Sequence, residues 1–245
     1  MSAIELPSSN HLLSNLPPGE YQQILKASKT VELIVGDILC EPSELFRFVY
    51  FPLSGFISLM ASAEDHQPLE IGIIGNEGLL GVTLILEVDT AVTRGIVHGN
   101  GSVLKIDTSH FKQLLKTTPI LLSRLKSYLF IIVTQFAQSA NCNHFHKIES
   151  RLAFWLLMSH DRTNSDHFHF THDFLASILA VRRSSISIAA YKLQQMELIS
   201  YARGEIKILN RSGLEAASCC CYAAMSNSYN RLLGSTNRSK IVPKE

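Results

Sequence analysis

The sequence predicts an α+β protein: a β-rich N-terminal barrel or roll, one long helix, and a C-terminal winged helix-turn-helix. Three observations predict it. From Val31 to Ile106 apolar residues alternate with period two in short runs broken by glycine and proline. After Pro119 a helical period takes over. From Thr171 a helix-turn-helix pattern runs straight into a β-hairpin. A chain of 245 residues has room for two domains with a core each. The expected units are residues 1–118, 119–142 and 143–245.

The first thirty residues read as short helical pieces. Pro17 and Pro18 break them, and Leu16, Tyr21, Ile24 and Leu25 form an apolar face. In "TVELIVGDILCEPSELFRFVYFPLSGFISLM" and "LEIGIIGNEGLLGVTLILE" the strands are punctuated by Gly36, Pro42, Pro52, Gly55, Gly72, Gly75, Gly78 and Gly81. Short strands separated by turn residues at near-regular spacing build antiparallel barrels or rolls. The glycines do not make a nucleotide site. No Walker-type loop and no GxGxxG before a helical pattern occurs, and Gly75-Asn-Glu-Gly78 is a plain turn signal.

"DTSHFKQLLKTTP" is a short amphipathic helix that Asp107 or Thr108 caps. In "ILLSRLKSYLFIIVTQFAQSANC", Leu122, Leu125, Leu129, Ile132, Phe136 and Ser139 recur at alternating steps of three and four, the seam of a two-helix coiled coil. Leu121, Phe130, Ile131 and Val133 widen the stripe, as in a helix that packs on its own roll and on a second copy. The most apolar stretch, Tyr128 to Phe136, is far short of a membrane span, and the N-terminus lacks the basic-then-apolar opening of a secretory signal. The expectation is a soluble cytoplasmic protein without a membrane partner. "HKIESRLAFWLLMSH" is a second amphipathic helix with Ile148, Leu152, Trp155 and Leu156 on one face; "DRTNSD" is a polar turn and "HFHF" a short alternating strand.

The segment from Thr171 to Ile199 carries the functional reading. Thr171 caps a first helix, His172 and Asp173 open it, and Phe174, Leu175 and Leu179 face a core. Ala176 and Ala180 are small where two helices approach and where the turn begins; Val181, Ile186, Ala189 and Leu193 then point inward. "LISYARGEIKILN" alternates on both sides of Ala202 to Glu205, with Gly204 free to take positive φ, so it is a hairpin and makes a wing. Arg182 and Arg183 stand at the start of the second helix, where the helix dipole disfavours cations. Contact with a polyanion offsets that cost.

Charge supports this. The net charge of +1 hides a split near residue 140, with −4 before it and +5 after it. Between Val181 and Arg211 six basic residues, Arg182, Arg183, Lys192, Arg203, Lys207 and Arg211, face two acids, Glu197 and Glu205. Such a cluster gives salt-dependent affinity for double-stranded DNA, and arginine is the commonest reader of guanine. Ser184, Ser185 and Ser187 have no evident base or oxyanion partner and belong to the face that DNA would occupy, so no enzyme is read here. A winged helix that docks a protein rather than DNA is the alternative.

At these residues the chain resembles the CRP/FNR superfamily of bacterial transcription regulators. "VYFPLSGFISLM" is similar to the family's roll strands and "FLASILAVRRSSIS" to its helix-turn-helix; Cys142-Asn143, His146, Arg151 to Ala153, Trp155 to Leu157, His160 to Arg162, Cys219, Cys221 and Tyr222 match one branch. The resemblance implies a double-stranded, cyclic-nucleotide-binding-like β-roll, a dimerisation helix, and a winged helix that binds palindromic DNA as a homodimer, with RNA polymerase and a small-molecule effector in the roll as further candidate partners. It places the first base-contacting arginine on Arg183, the family's following glutamate on Ser184, a second arginine of some members on Ile188, the phosphate-contacting residue on Arg182, and the capping threonine on Thr171. The operator therefore differs from that of the best-known members. In place of the residues that hold a cyclic phosphate stand Gly81-Val82 and Ala91-Val92. A buried phosphate there would lack a cation, so no cyclic nucleotide is expected. Before residue 142 Cys40 is the only cysteine, so the iron-sulfur ligands of other members are missing.

No cofactor or metal is expected. His144, His146, His160, His167, His169 and His172 crowd one region without structural zinc spacing, and Cys219 to Cys221 read as buried helix cysteines of a reducing compartment.

Overall fold

The computed structural model describes residues 10–62, 68–163 and 165–234. The helical pieces expected before Asn10, and Asn164 of the polar turn, lie outside the described residues.

The N-terminal unit is the expected roll. Helix α1 (Pro18–Ala27) leads into β1 (Ser28–Leu33), β2 (Ile38–Cys40), β3 (Phe48–Pro52), β4 (Phe56–Ala61), β5 (Leu69–Ile74), a 3-10 turn at Val82–Leu86, β6 (Arg94–Gly99) and β7 (Gly101–Asp107). These strands form two antiparallel sheets, ordered β1-β7-β3 and β2-β6-β4-β5. Leu33, Val49, Phe51, Ile57, Leu59, Val97 and Leu104 from both sheets, with Leu79 and Leu80 from the loop after β5, fill one core. The period of two sorts β4 between two cores. Ile57 and Leu59 point into the roll, while Phe56 and Met60 point out and are covered by the C-terminal unit.

The glycine-rich run after β5 is packing room for a helix. A Cβ on Gly78 would lie 2.1 Å from the Tyr128 hydroxyl.

Helix α2 (Thr108–Thr117) is capped by the Asp107 carboxylate, which accepts from the Ser109 amide. Helix α3 (Pro119–Phe145) follows, 27 residues and about 40 Å long. Pro119 occupies its first turn, and the Glu20 carboxylate of α1 accepts from the amides of Ile120 and Leu121 at 3.1 and 2.9 Å. By length and composition α3 could cross a bilayer, which the shorter stretch Tyr128 to Phe136 does not suggest, and the helices His172–Ile178 and Arg183–Gln195 would pass that test only as a pair bent by 106°. Yet one side of α3, Leu121, Leu125, Tyr128 and Ile132, is built into the roll's core.

That burial takes Leu125 and Ile132 out of the expected dimer seam. Leu125 is fully buried and Ile132 is 5% exposed, and Leu129 and Phe136 pack on the same core. Leu122 is half-buried. Leu125, Leu129, Ile132 and Phe136 of that row therefore pack on the chain's own roll. The apolar row left open is Phe130 and Val133, 55% and 57% exposed, with Ala137 and Ala140 further along. It too steps by three and four.

The C-terminal unit contains α4 (Ile148–Thr163), β8 (His167–His169), α5 (His172–Ile178), α6 (Arg183–Gln195), β9 (Ile199–Ala202), β10 (Glu205–Ile208), α7 (Arg211–Ala217) and α8 (Cys220–Leu233). Strands pair in the order β8-β10-β9. Helix α4 is buried nearly all round from Arg151 to Ser159, because it lies between the roll's outer face and the helix-turn-helix. Helix α8 runs back along α3 and sends Tyr229 and Leu233 to the roll's core.

Candidate nucleic-acid interface

Two short helices and a hairpin position the basic residues. The Thr171 hydroxyl accepts from the Phe174 amide at 3.1 Å and so caps α5. Between α5 and α6 the chain turns through 106°, within the range of helix-turn-helix motifs. Ala180 takes φ +48° in that turn, an αL position that its small side chain tolerates. Ile186, Ala189, Ala190 and Leu193 bury one face of α6 against α4 and α5. Arg203 and Gly204, at φ +53° and +86°, form the two-residue tip of the β9–β10 hairpin.

Arg182 is the N-cap of α6 and Arg183 its first residue, with no acid in the first turn and no side-chain cap. With no side-chain cap, the start of α6 presents backbone amides of the kind that suit an anion. The Arg183 side chain is 67% exposed and pairs with Asp173 at 3.2 Å; an ion pair in such exposure contributes little and exchanges easily for another acceptor. One cleft is lined by Thr171, His172, Asp173, Arg183, Tyr201, Ala202, Arg203 and Gly204. The start of α5, the start of α6 and the wing tip therefore converge on one groove.

The other expected contacts are distributed less evenly. Ser184 and Ile188 lie exposed on α6, and Lys207 is exposed on the wing. Ser185 is half-buried. His172 turns into the joint instead: its Nδ1 meets the Ser187 hydroxyl at 3.0 Å and its ring lies edge-on to Tyr201. Burial, helped by the Arg183 charge, lowers the His172 pKa. Lys192 is paired with Glu149 of α4. Arg211 leaves the basic surface altogether, because its guanidinium binds Asp161, Glu215, His160 and the Tyr222 hydroxyl. Tyr191, 63% exposed, was not singled out in the sequence; it shares the outward face with Ser184, Ile188 and Gln195, and that spacing was the available signal.

The C-terminal unit is joined to the roll through a buried polar chain. The Trp155 indole of α4 donates to Glu70 Oε1 of β5 at 2.6 Å, Ser58 bonds the other carboxylate oxygen, and His98 Nδ1 meets Ser58 Oγ at 2.8 Å. The His98 ring packs on Phe174 of α5. Burial pushes the Glu70 carboxyl up to about 7, and pushes His98 down to about 4. A carboxyl that titrates higher in the folded than in the unfolded chain binds more protons when folded. Stability from this group is therefore present below its ordinary value of 4.5 and falls as pH rises towards about 7. The interval is worth about 3 kcal/mol. Glu70→Gln, which keeps an acceptor for Trp155, is expected to flatten the melting temperature between pH 5 and pH 8 and to raise it at pH 8. Parallel pH profiles for the two proteins would remove Glu70 as the cause.

The expected histidine crowd dissolves into separate pairs: His160 with Asp166, His169 with Glu205, His172 with Ser187. One histidine behaves differently. His146 meets Cys142, Cys219 and Cys221 in a cluster that the linear spacing did not show.

Residues 150–217 match the family model described as the Crp-like helix-turn-helix domain. Among solved structures, FixK2 from Bradyrhizobium japonicum shares 12% identity, with 78% of this chain and 98% of that chain covered and a TM-score of 0.66. The c-di-GMP responsive global regulator CLP of Xanthomonas campestris shares 17%, covering 78% and 99% with a TM-score of 0.64. A CRP/FNR-family transcriptional regulator from Thermus thermophilus shares 19%, covering 78% and 98% with a TM-score of 0.57. No curated protein matches.

Proposed function

We propose that the chain is a member of the CRP/FNR superfamily, to which its helix-turn-helix domain and its fold are similar, and that it is a transcription regulator that binds an inverted-repeat DNA site as a homodimer. The observation that carries this reading is the cleft in which Arg183, at the open end of α6, meets Arg203 at the wing tip. Arg183 reads a base edge and Arg182 holds a phosphate; Arg203 and Lys207 grip the backbone through the wing. Thr171 and His172 set the entry of α5, while Ser184, Ile188 and the exposed Tyr191 line the groove side of α6. The dimer forms along Phe130, Val133, Ala137 and Ala140 of α3, and the recognition helices of the two copies then stand about 34 Å apart. The units are a sensor at residues 1–118, a dimerisation helix over 119–142 and a DNA-binding unit over 143–245, acting in the cytoplasm with RNA polymerase as the downstream partner.

The roll works without a cyclic nucleotide. Val82 and Ala91 are buried in its core, where a bound phosphate would need a cation. An effector in the roll would be of another chemistry.

Selection of bound sequences from random duplex DNA tests the reading as a whole. The expected result is a two-fold symmetric motif whose half-sites lie one helical turn apart. Absence of affinity even at low salt would overturn it in favour of a protein-docking winged helix.

A further inference from the structure

At the junction of α3 and α8 four soft ligands converge outside the DNA interface. Cys142 lies in the last turn of α3, and His146, four residues on, is its C-cap. Cys219 is the N-cap of α8 and Cys221 lies in its first turn. The Cys142 and Cys219 sulfurs are 3.5 Å apart, His146 Nδ1 is 3.5 Å from Cys221 Sγ, and all four ligand atoms lie within 4.8 Å of one another. A zinc ion with bonds of about 2.3 Å to sulfur and about 2.0 Å to nitrogen sets its ligands about 3.5–3.8 Å apart at the corners of a tetrahedron. We propose that Cys142, His146, Cys219 and Cys221 hold one zinc ion, which staples the end of the long helix to the start of the C-terminal helix.

The surroundings suit such a centre. The three cysteines are buried and form their own small cluster, on which Phe154 packs from the edge of the C-terminal core. They bind as thiolates and release their protons, so the centre carries one net negative charge. Arg151 supplies the counter-charge. It is buried within electrostatic reach of Cys142 and Cys219, its Nε has no hydrogen-bond partner, and its Nη2 bonds Asn143 of α3 and the Leu179 carbonyl beside the helix-turn-helix turn. The amides at the start of α8 add a favourable dipole for Cys219 and Cys221. Thiolates exclude calcium and magnesium, and four ligands around one point fit a single ion. A multi-iron cluster spreads its thiolates over separate metals and needs a wider cage.

The test reads metal directly and is independent of DNA binding. The full-length chain, purified under reducing conditions, is expected to contain one zinc per chain by mass spectrometry of the elements. Exchange for cobalt(II) is expected to give the intense visible bands of a tetrahedral thiolate site. Cys142→Ser and Cys221→Ser should lower occupancy at least tenfold, while Cys40→Ser and Cys220→Ser should leave it at one. Should a serine variant fail to fold, Cys221→His, which keeps a ligand, is expected to retain the metal with shifted cobalt bands, and the cobalt spectrum of the unaltered chain decides alone. Absence of zinc, iron in its place, a weak octahedral cobalt spectrum, equal metal loss in Cys220→Ser, or a Cys142–Cys219 disulfide in the reduced preparation would each overturn the proposal.

Discussion

Phe130→Glu combined with Val133→Glu is expected to convert the protein from dimer to monomer and to abolish tight binding to an inverted repeat. Both side chains are more than half exposed on α3 although they are large and apolar, and nothing in the chain's own core depends on them. Across a two-fold axis the pair becomes four apolar groups, each worth about 1.5–3 kcal/mol on burial. Their loss, with four carboxylates forced together, weakens the dimer by more than about a thousandfold. Sedimentation at micromolar concentration should show a monomer with an unchanged far-ultraviolet spectrum and melting temperature. Leu129→Glu with Ile132→Glu is the contrasting pair. Because Ile132 lies in the roll's core, that pair should lower the melting temperature before it changes the oligomeric state. A Phe130/Val133 variant that remains dimeric would move the interface elsewhere.

Arg183→Ala carries the second large effect. An arginine bidentate to guanine discriminates by about 1–3 kcal/mol, and a dimer uses it twice. The expected loss is therefore roughly 30-fold to 10,000-fold on the selected site, with specificity relaxed at one base pair in each half-site. Arg182→Ala should differ in kind. It should weaken all sequences alike and reduce the steepness of the salt dependence by about two, one phosphate for each copy. If Arg183→Ala behaves like Arg182→Ala, Arg183 is a phosphate contact and base reading belongs to Ser184, Ile188 or Tyr191.

Local patterns were readable from the sequence and distant ones were not. The winged helix was legible because its signals are short: a capping threonine at Thr171, inward Ile186, Ala189 and Leu193, and a hairpin around Gly204. Which side of α3 meets the roll is not legible in the sequence, for a geometrical reason. A shift of one residue turns a helix surface by about 100°, and α3 is apolar over two such faces, so the row through Leu125 and Ile132 and the row through Phe130 and Val133 obey the same spacing. Burial alone separates them. Counting charges put Arg211 on the DNA side because its partner Asp161 is 50 residues away. The sulfur cluster stayed hidden because its halves are 77 residues apart and only the return of α8 along α3 unites them.

The chain has a single tryptophan, and it is Trp155. Its indole is buried against Phe56 of the roll and Phe170 and Phe174 of the C-terminal unit, and its nitrogen rests on Glu70. The tryptophan fluorescence of the protein thus comes from one place, the contact between its two halves. Separation of those halves would wet the indole and move its emission to longer wavelength. The unlabelled molecule therefore carries its own optical gauge of whether effector, metal or DNA changes how its halves are docked.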